Sequence, residues 1–194
     1  MPVSPGVVVV VLAAGRGERF AQSGGATHKL QALLAGVPVM EHVLHAVKAS
    51  GLRWHVVEPS DHTRLCGMGD SIARGVRDTA DADGWLILPA DLPLVQSVTL
   101  QQVAASLQAQ PVVVPECGGQ TGHPVGFAAE CFALLSALQG DQGASRIVQA
   151  YRQRQRVLGL PVTDPGIAAD IDTVDDLVHA QALLARLAPV TEGR

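Results

Sequence analysis

Five consecutive valines, Val7–Val11, restrict this chain more than any other stretch of it. Valine branches at Cβ, which costs it freedom in a helix and suits it to a pleated strand. Successive strand residues point to opposite faces, so a run with valine at every position leaves no face for water. Such a strand needs cover on both sides, as in a parallel sheet flanked by helices. Composition agrees: 47% of residues are hydrophobic but only 3% aromatic, so the core must be built from Val, Leu, Ile and Ala.

The run continues as Leu12-Ala13-Ala14-Gly15-Arg16-Gly17-Glu18-Arg19-Phe20, with Lys29 further on. A turn so bare of side chains exposes backbone N–H groups, and its cations add positive charge, which suits a polyphosphate. Phe20 stands where a dinucleotide fingerprint needs its third glycine, and the Gly-Lys-Ser/Thr of a Walker loop is absent. An ordinary glycine turn is the plain alternative. Against it stand Arg16, Arg19 and Lys29 in a loop with one acid, Glu18; the chain has only one other lysine, Lys48.

With 194 residues the chain suits one α/β domain, taken as residues 1–187, with 188–194 as a frayed tail. A net charge of −4 gives no basic field for nucleic acid. Cys66, Cys117 and Cys131 are odd in number and lack CxxC spacing, which argues against a disulfide framework or zinc ribbon and for a reducing compartment. The Val7–Ala14 run is too short to span a bilayer and lacks a basic leader, so neither a membrane segment nor a signal peptide is expected. The expected location is the cytoplasm.

Strand and helix patterns alternate. Strands are predicted at Val7–Ala13, Arg53–Val57, Trp85–Leu88, Val112–Val114 and Val157–Leu160. Helices are predicted at Pro38–Ser50 (closed by Gly51), Gly69–Arg77, Glu130–Leu138 and Ser145–Arg154, and from a Ser97 or Thr99 cap through Leu107. The last runs over Val174–Leu187, capped by Thr173 with Asp175 and Asp176 in its first turn. Cys117–Phe127 reads as a glycine-rich loop or hairpin. The alternation implies a layered sheet with helices on both faces, and ligands then bind at the carboxyl ends of the strands.

Asp91, in Leu86–Pro93, follows a buried strand directly, where a carboxylate can hold Mg²⁺ or simply cap a turn. Asp170 and Asp172 point to one face if Ala169–Thr173 is extended; Asp172 or Thr173 can equally cap the final helix. His123 sits between Gly122 and Pro124, unlike a core histidine. His42 and His45, at helical spacing, read as surface residues before metal ligands, and the other histidines have no ligand spacing. Cys117 and Cys131 read as structural. No nucleophile triad can be read from spacing, and no G-x-S-x-G elbow is present.

Taken in order, these segments resemble the MobA-like nucleotidyltransferase family, most closely its molybdenum cofactor cytidylyltransferase branch. The resemblance runs through Leu12–Phe20 with Lys29, Gly67–Ile72, Ala90–Pro93, Gly122–Pro124, Gly140–Arg146 and Asp170–Thr173. It implies a Rossmann-like three-layer α/β/α fold with a mostly parallel sheet. It also implies transfer of a nucleotidyl group from an NTP to a phosphorylated acceptor, with release of pyrophosphate. On this resemblance Leu12, Ala13, Ala14, Gly15, Arg16, Gly17, Arg19, Lys29, Gly67, Met68 and Ser71 bind nucleotide. Asp91 and Asp172 hold Mg²⁺, and Arg16, Lys29 and Asp91 are the catalytic set. His123, Asp141 and Arg146 face the acceptor.

Within the family that the chain resembles, the Ala13-Ala14-Gly15 variant implies CTP, with GTP as the alternative. The implied acceptor is molybdopterin or its molybdenum cofactor, with hand-over to a molybdoenzyme or its chaperone. A sugar phosphate or other alcohol phosphate is the alternative acceptor, and a non-catalytic nucleotide- or cofactor-binding protein the alternative class. The chain departs from the family pattern in four places. The gap from Arg19 to Lys29 is long, with Phe20 for Met; Ala90 replaces Gly; Ser145 is inserted before Arg146; and Leu52–Gly67 is one strand–helix unit short.

Overall fold

The computed structural model describes residues 6–59 and 67–187. Cys66, His62 and the expected tail at 188–194 lie outside the described residues. The valine run forms β1 (Val7–Leu12), paired in parallel with β4 (Arg53–Val57) on one side and β5 (Gly84–Pro89) on the other. Val9 and Val11 pack into a core shared with Leu86, Leu88 and Val113, while Val8 and Val10 pack into a second with Trp85, Ile87 and Val112. Both faces of the strand are therefore covered, as its sequence requires.

The first core is closed by α2 (Val39–Ala49), α4 (Ser97–Ser106) and α7 (Val174–Leu187). The second is closed by α3 (Met68–Asp78), α5 (Phe132–Ser136) and α6 (Ser145–Gln153). In α2, Val39, Val43 and Val47 recur every four residues and are fully buried, and Gly51 ends the helix at φ 71°. In α3, Gly75 lets the helix lie against Val10 and Val57, where a Cβ would come within 2.4 Å of the Val10 side chain.

The sheet runs β4-β1-β5-β8-β6, where β6 is Val112–Cys117 and β8 is Val125–Ala128. Beyond it, β6 also pairs with the short β7 (Gln120–Thr121) and, in parallel, with β9 (Val157–Pro161). Its β8 is antiparallel to both neighbours, so the stretch read as a loop or hairpin places a strand between β5 and β6. Gly126 makes room there: Val103, Leu107 and Leu86 crowd the position a Cβ would take.

A small hairpin also lies outside the sequence expectations: β2 (Leu33–Leu34) and β3 (Val37–Pro38), turned by Ala35 and Gly36 with positive φ. His42 Nε2 donates to Leu34 O at 2.8 Å, which gives that histidine a structural task.

Two other expectations change. The helix predicted at Glu130–Leu138 is a 3₁₀ turn at Ala129–Cys131 followed by α5. The start of α4 is served by neither Ser97 nor Thr99; buried Asp164 accepts from Gln96 N at 2.8 Å and from Thr99 Oγ1 at 2.7 Å. By contrast α7 is capped as its sequence suggests: Thr173 Oγ1 accepts from Asp176 N, and Asp176 Oδ2 from Thr173 N. Among the described residues, no helix is long and apolar enough to cross a membrane.

Candidate active site

A cavity of about 1010 Å³ opens at the carboxyl ends of β1 and β5, from Leu12 to Pro89. One wall is the first loop. Gly17 starts the short α1 (Glu18–Gln22) at φ 65°, in the left-handed region that glycine adopts freely. The long gap before Lys29 is folded around Phe20, which is buried; Gly25 packs so close to its ring that a Cβ would clash with it, and Ser23 Oγ donates to Phe20 O. His28 then closes the gap. Its Nδ1 accepts from Leu30 N, so its Nε2 carries the proton and donates to Gly15 O at 3.0 Å. Sequence reasoning missed His28, whose only signal is its place next to Lys29.

Lys29 is thereby held beside two carboxylates distant in the chain. Its Nζ lies 2.6 Å from Asp91 Oδ2 and 2.9 Å from Asp172 Oδ1. Arg19 Nη1 donates to the other oxygen of Asp172 at 2.8 Å, and Arg16 pairs with Glu18 at 3.5 Å. A backbone bond from Ile171 N to Asp91 O fastens the Ala169–Thr173 segment beside the loop after β5. Thr173 supplies the cap of α7, which leaves the Asp172 carboxylate to the cavity.

The charges are mutually adjusted. Burial pulls the Lys29 ammonium down, but Asp91 and Asp172 more than offset it, so its pKa lies above the usual lysine value. Hydrogen bonds from Lys29, against burial and helped by Arg19, hold Asp172 below the usual carboxylate value. Asp170 also lines the cavity; burial and the charges of Asp91 and Asp172 push it up.

The opposite wall joins the start of α3 to the Gly140–Gln142 turn. Gly69 N donates to Gly140 O at 2.8 Å, and a Cβ on Gly67 would lie 2.1 Å from Gly140 C. Ser71 is buried and donates to Gly67 O. On a third side, His123 N donates to Ile167 O at 2.8 Å. Its ring Nδ1–H points to Ile87 O at 3.3 Å, and burial keeps the imidazole below its usual pKa.

Leu12, Ala14–Gly17, Arg19, Lys29, Gly67, Met68, Ser71, Asp91, His123, Asp141 and Asp172 all line this cavity, with Thr121, Gly122, Ile167 and Asp170 beside them. Two expected site residues lie off it. Ala13 is in the core with its N–H bonded to Val57 O, and Arg146 is on α6, donating to Gln142 Oε1.

The donor set fits a hard divalent cation. Asp91 Oδ1 is buried with no hydrogen-bond partner among the described residues. Lys29 draws the Asp91 and Asp172 carboxylates together, and no cluster of three or more His, Cys, Asp or Glu suited to a metal is found among the described residues. Mg²⁺ favours one or two carboxylates, completing its shell with water and substrate phosphates.

The MobA-like NTP transferase domain family matches residues 9–157. The purine catabolism protein PucB of Bacillus subtilis is 29% identical over 200 residues, covering 89% of this chain and 95% of that protein. The 2-C-methyl-D-erythritol 4-phosphate cytidylyltransferase of Frankia casuarinae is 30% identical over 236 residues, covering all of this chain and 87% of that protein. Among solved structures, a nucleotidyl transferase from Methanothermobacter superposes with TM-score 0.78 at 22% identity, over 93% of this chain and 98% of that one. The molybdopterin-guanine dinucleotide biosynthesis protein A of Archaeoglobus fulgidus superposes with TM-score 0.62 at 17% identity, over 93% of this chain and all of that one. A cationic glycine loop at the end of β1, two carboxylates against its lysine and this family match agree: the chain belongs to the MobA-like NTP transferase domain family and is a nucleotidyltransferase.

Proposed function

We propose that the cavity transfers a nucleotidyl group, CMP in preference, from an NTP to a phosphorylated acceptor of the molybdopterin type. The observation that carries this is the meeting of Lys29 with Asp91 and Asp172, within 2.9 Å, at the mouth of the glycine loop. An oxygen of the acceptor phosphate attacks the α-phosphorus, the bond to the bridging oxygen breaks, and pyrophosphate leaves with the electron pair. The acceptor oxygen is already anionic, so no general base is required. The barrier lies in bringing two anions together and in the charge that builds on the phosphoryl oxygens.

Arg16, Arg19 and Lys29 hold the triphosphate, with the N–H groups of the Ala14–Gly17 turn. Gly67, Met68 and Ser71 border the nucleoside. His123 and Asp141 border the acceptor, and Arg146 steadies the Gly140–Gln142 turn through Gln142. Asp91 and Asp172 would hold Mg²⁺, which when bound supplies positive charge to the phosphate oxygens. The Ala13-Ala14-Gly15 sequence supports CTP over GTP. The test is incubation with Mg²⁺, molybdopterin and each NTP in turn while pyrophosphate is followed. Release is expected, fastest with CTP; no release with any NTP overturns the reading.

A second acceptor class, an alcohol phosphate such as a sugar phosphate, is favoured by the Frankia cytidylyltransferase match, which spans the whole chain. Pyrophosphate release with such a phosphate but not with molybdopterin would select it.

A further inference from the structure

Both oxygens of Asp172 already carry a cation: Lys29 Nζ on Oδ1 at 2.9 Å and Arg19 Nη1 on Oδ2 at 2.8 Å. Asp91 carries Lys29 on Oδ2 at 2.6 Å, which leaves only its buried Oδ1 without a partner. A divalent ion bridging these carboxylates needs an oxygen from each. It meets one open oxygen, on Asp91, and an ammonium lodged between the two groups. Two cations that close repel strongly in a partly buried site.

The lysine is not a surface side chain that simply swings away. It is 11% exposed, and it opens a 3₁₀ turn whose N-cap, His28, is pinned to Gly15 O. Its stem runs past Gly17, beside the glycine loop proposed above to hold the triphosphate.

We propose that Lys29 is a resident competitor for the metal seat: it clamps Asp91 and Asp172 together and yields to a divalent ion when a polyphosphate draws the ammonium and the Arg19 guanidinium to itself. This rests on Asp91 and Asp172 being the metal ligands. Metal alone then binds weakly, and metal and nucleotide enter together. Linkage requires each to strengthen the other by the same factor.

The experiment is Mn²⁺ binding to the full chain without nucleotide or acceptor, read from the free-ion electron paramagnetic resonance signal. Wild type, Lys29→Met and Arg19→Met are compared, and each fold is checked by circular dichroism. Lys29→Met is expected to bind Mn²⁺ at least about tenfold more tightly than wild type, with a smaller gain for Arg19→Met. Unchanged or weaker binding in a folded Lys29→Met protein overturns the proposal. Should that variant not fold, because two carboxylates are left facing one another, Arg19→Met decides: its guanidinium is exposed, and unchanged affinity there overturns the proposal as well. Pyrophosphate plays no part in this readout. Tighter Mn²⁺ binding in a protein without turnover upholds the competitor and removes the transfer reaction; turnover with unaltered Mn²⁺ binding removes the competitor alone.

Discussion

His123 shows how far a single residue can be taken from its neighbours in the chain. Its place between Gly122 and Pro124 suggested a site residue, and it borders the cavity. Its burial and its Nδ1–H bond to Ile87 O became visible only in the fold. Burial lowers its pKa from 6.5, so the folded chain favours the neutral ring and the unfolded chain binds the proton more readily. The stabilising contribution is complete above pH 6.5 and is lost as pH falls through the folded value. Thermal melts across this range are expected to show a steeper loss for wild type than for His123→Gln. Asp91 was legible from its position after a buried strand. Asp91→Asn should keep the circular dichroism spectrum of wild type and lose more than about a hundredfold in pyrophosphate release, if charge stabilisation carries the reaction. Lys29, Asp91 and Asp172 were each nameable from local motifs, whereas His28 was not. Its bond to Gly15 O spans a gap that no spacing rule anticipates.

At the level of elements, periodicity served well for strands of five or six residues and for helices of nine or more, while the five-residue α1 was not foreseen and α5 came out shorter than its pattern. The bounds of β4 and α7 match their patterns residue for residue; in α7, Leu177, Ala180 and Leu184 pack on the first core at helical spacing. Periodicity failed for the hairpin of β2 and β3, whose strands of two residues are too short to display any period. It also failed for the start of α4, where the group that satisfies Gln96 N comes from Asp164, 68 residues along the chain. Asp164 accepts from Gly166 N as well, so one buried carboxylate ties the turn after β9 to α4. Asp164→Ala would strand these donors, and urea unfolding should record a loss of roughly 2–4 kcal/mol. Ser97→Ala at the same helix start should change stability by less than about 0.5 kcal/mol.

On the scale of the whole molecule, β4 stands at the outer side of the sheet, paired only with β1 among the described residues. A strand in that position offers backbone groups to other chains. Arg53, bonded to Asp81, and Trp54, partly covered by the Lys48 ammonium 5.9 Å from its ring, lie on it. Arg53→Val removes a charge from that margin; sedimentation velocity should show increased self-association, with a stability change below about 1 kcal/mol for the exposed pair.

The layered plan was readable from the valine run together with the strand–helix alternation, since a strand without a wet face needs cover on both sides. The antiparallel course of β8 was not, because strand direction leaves no mark in a segment of four residues.

The contact between Gly67 and Gly140 has one more consequence. Backbone meets backbone there, with no side chain to act as a cushion. The start of α3 and the 140–146 turn are one part, not two, and a chimera that borrows the 140–146 turn from a relative must borrow the head of α3 with it. On the proposed placing of the acceptor beside Asp141, changes of acceptor along a lineage would leave paired traces in both segments, and a search for natural variants with new acceptors can begin by looking for that pairing.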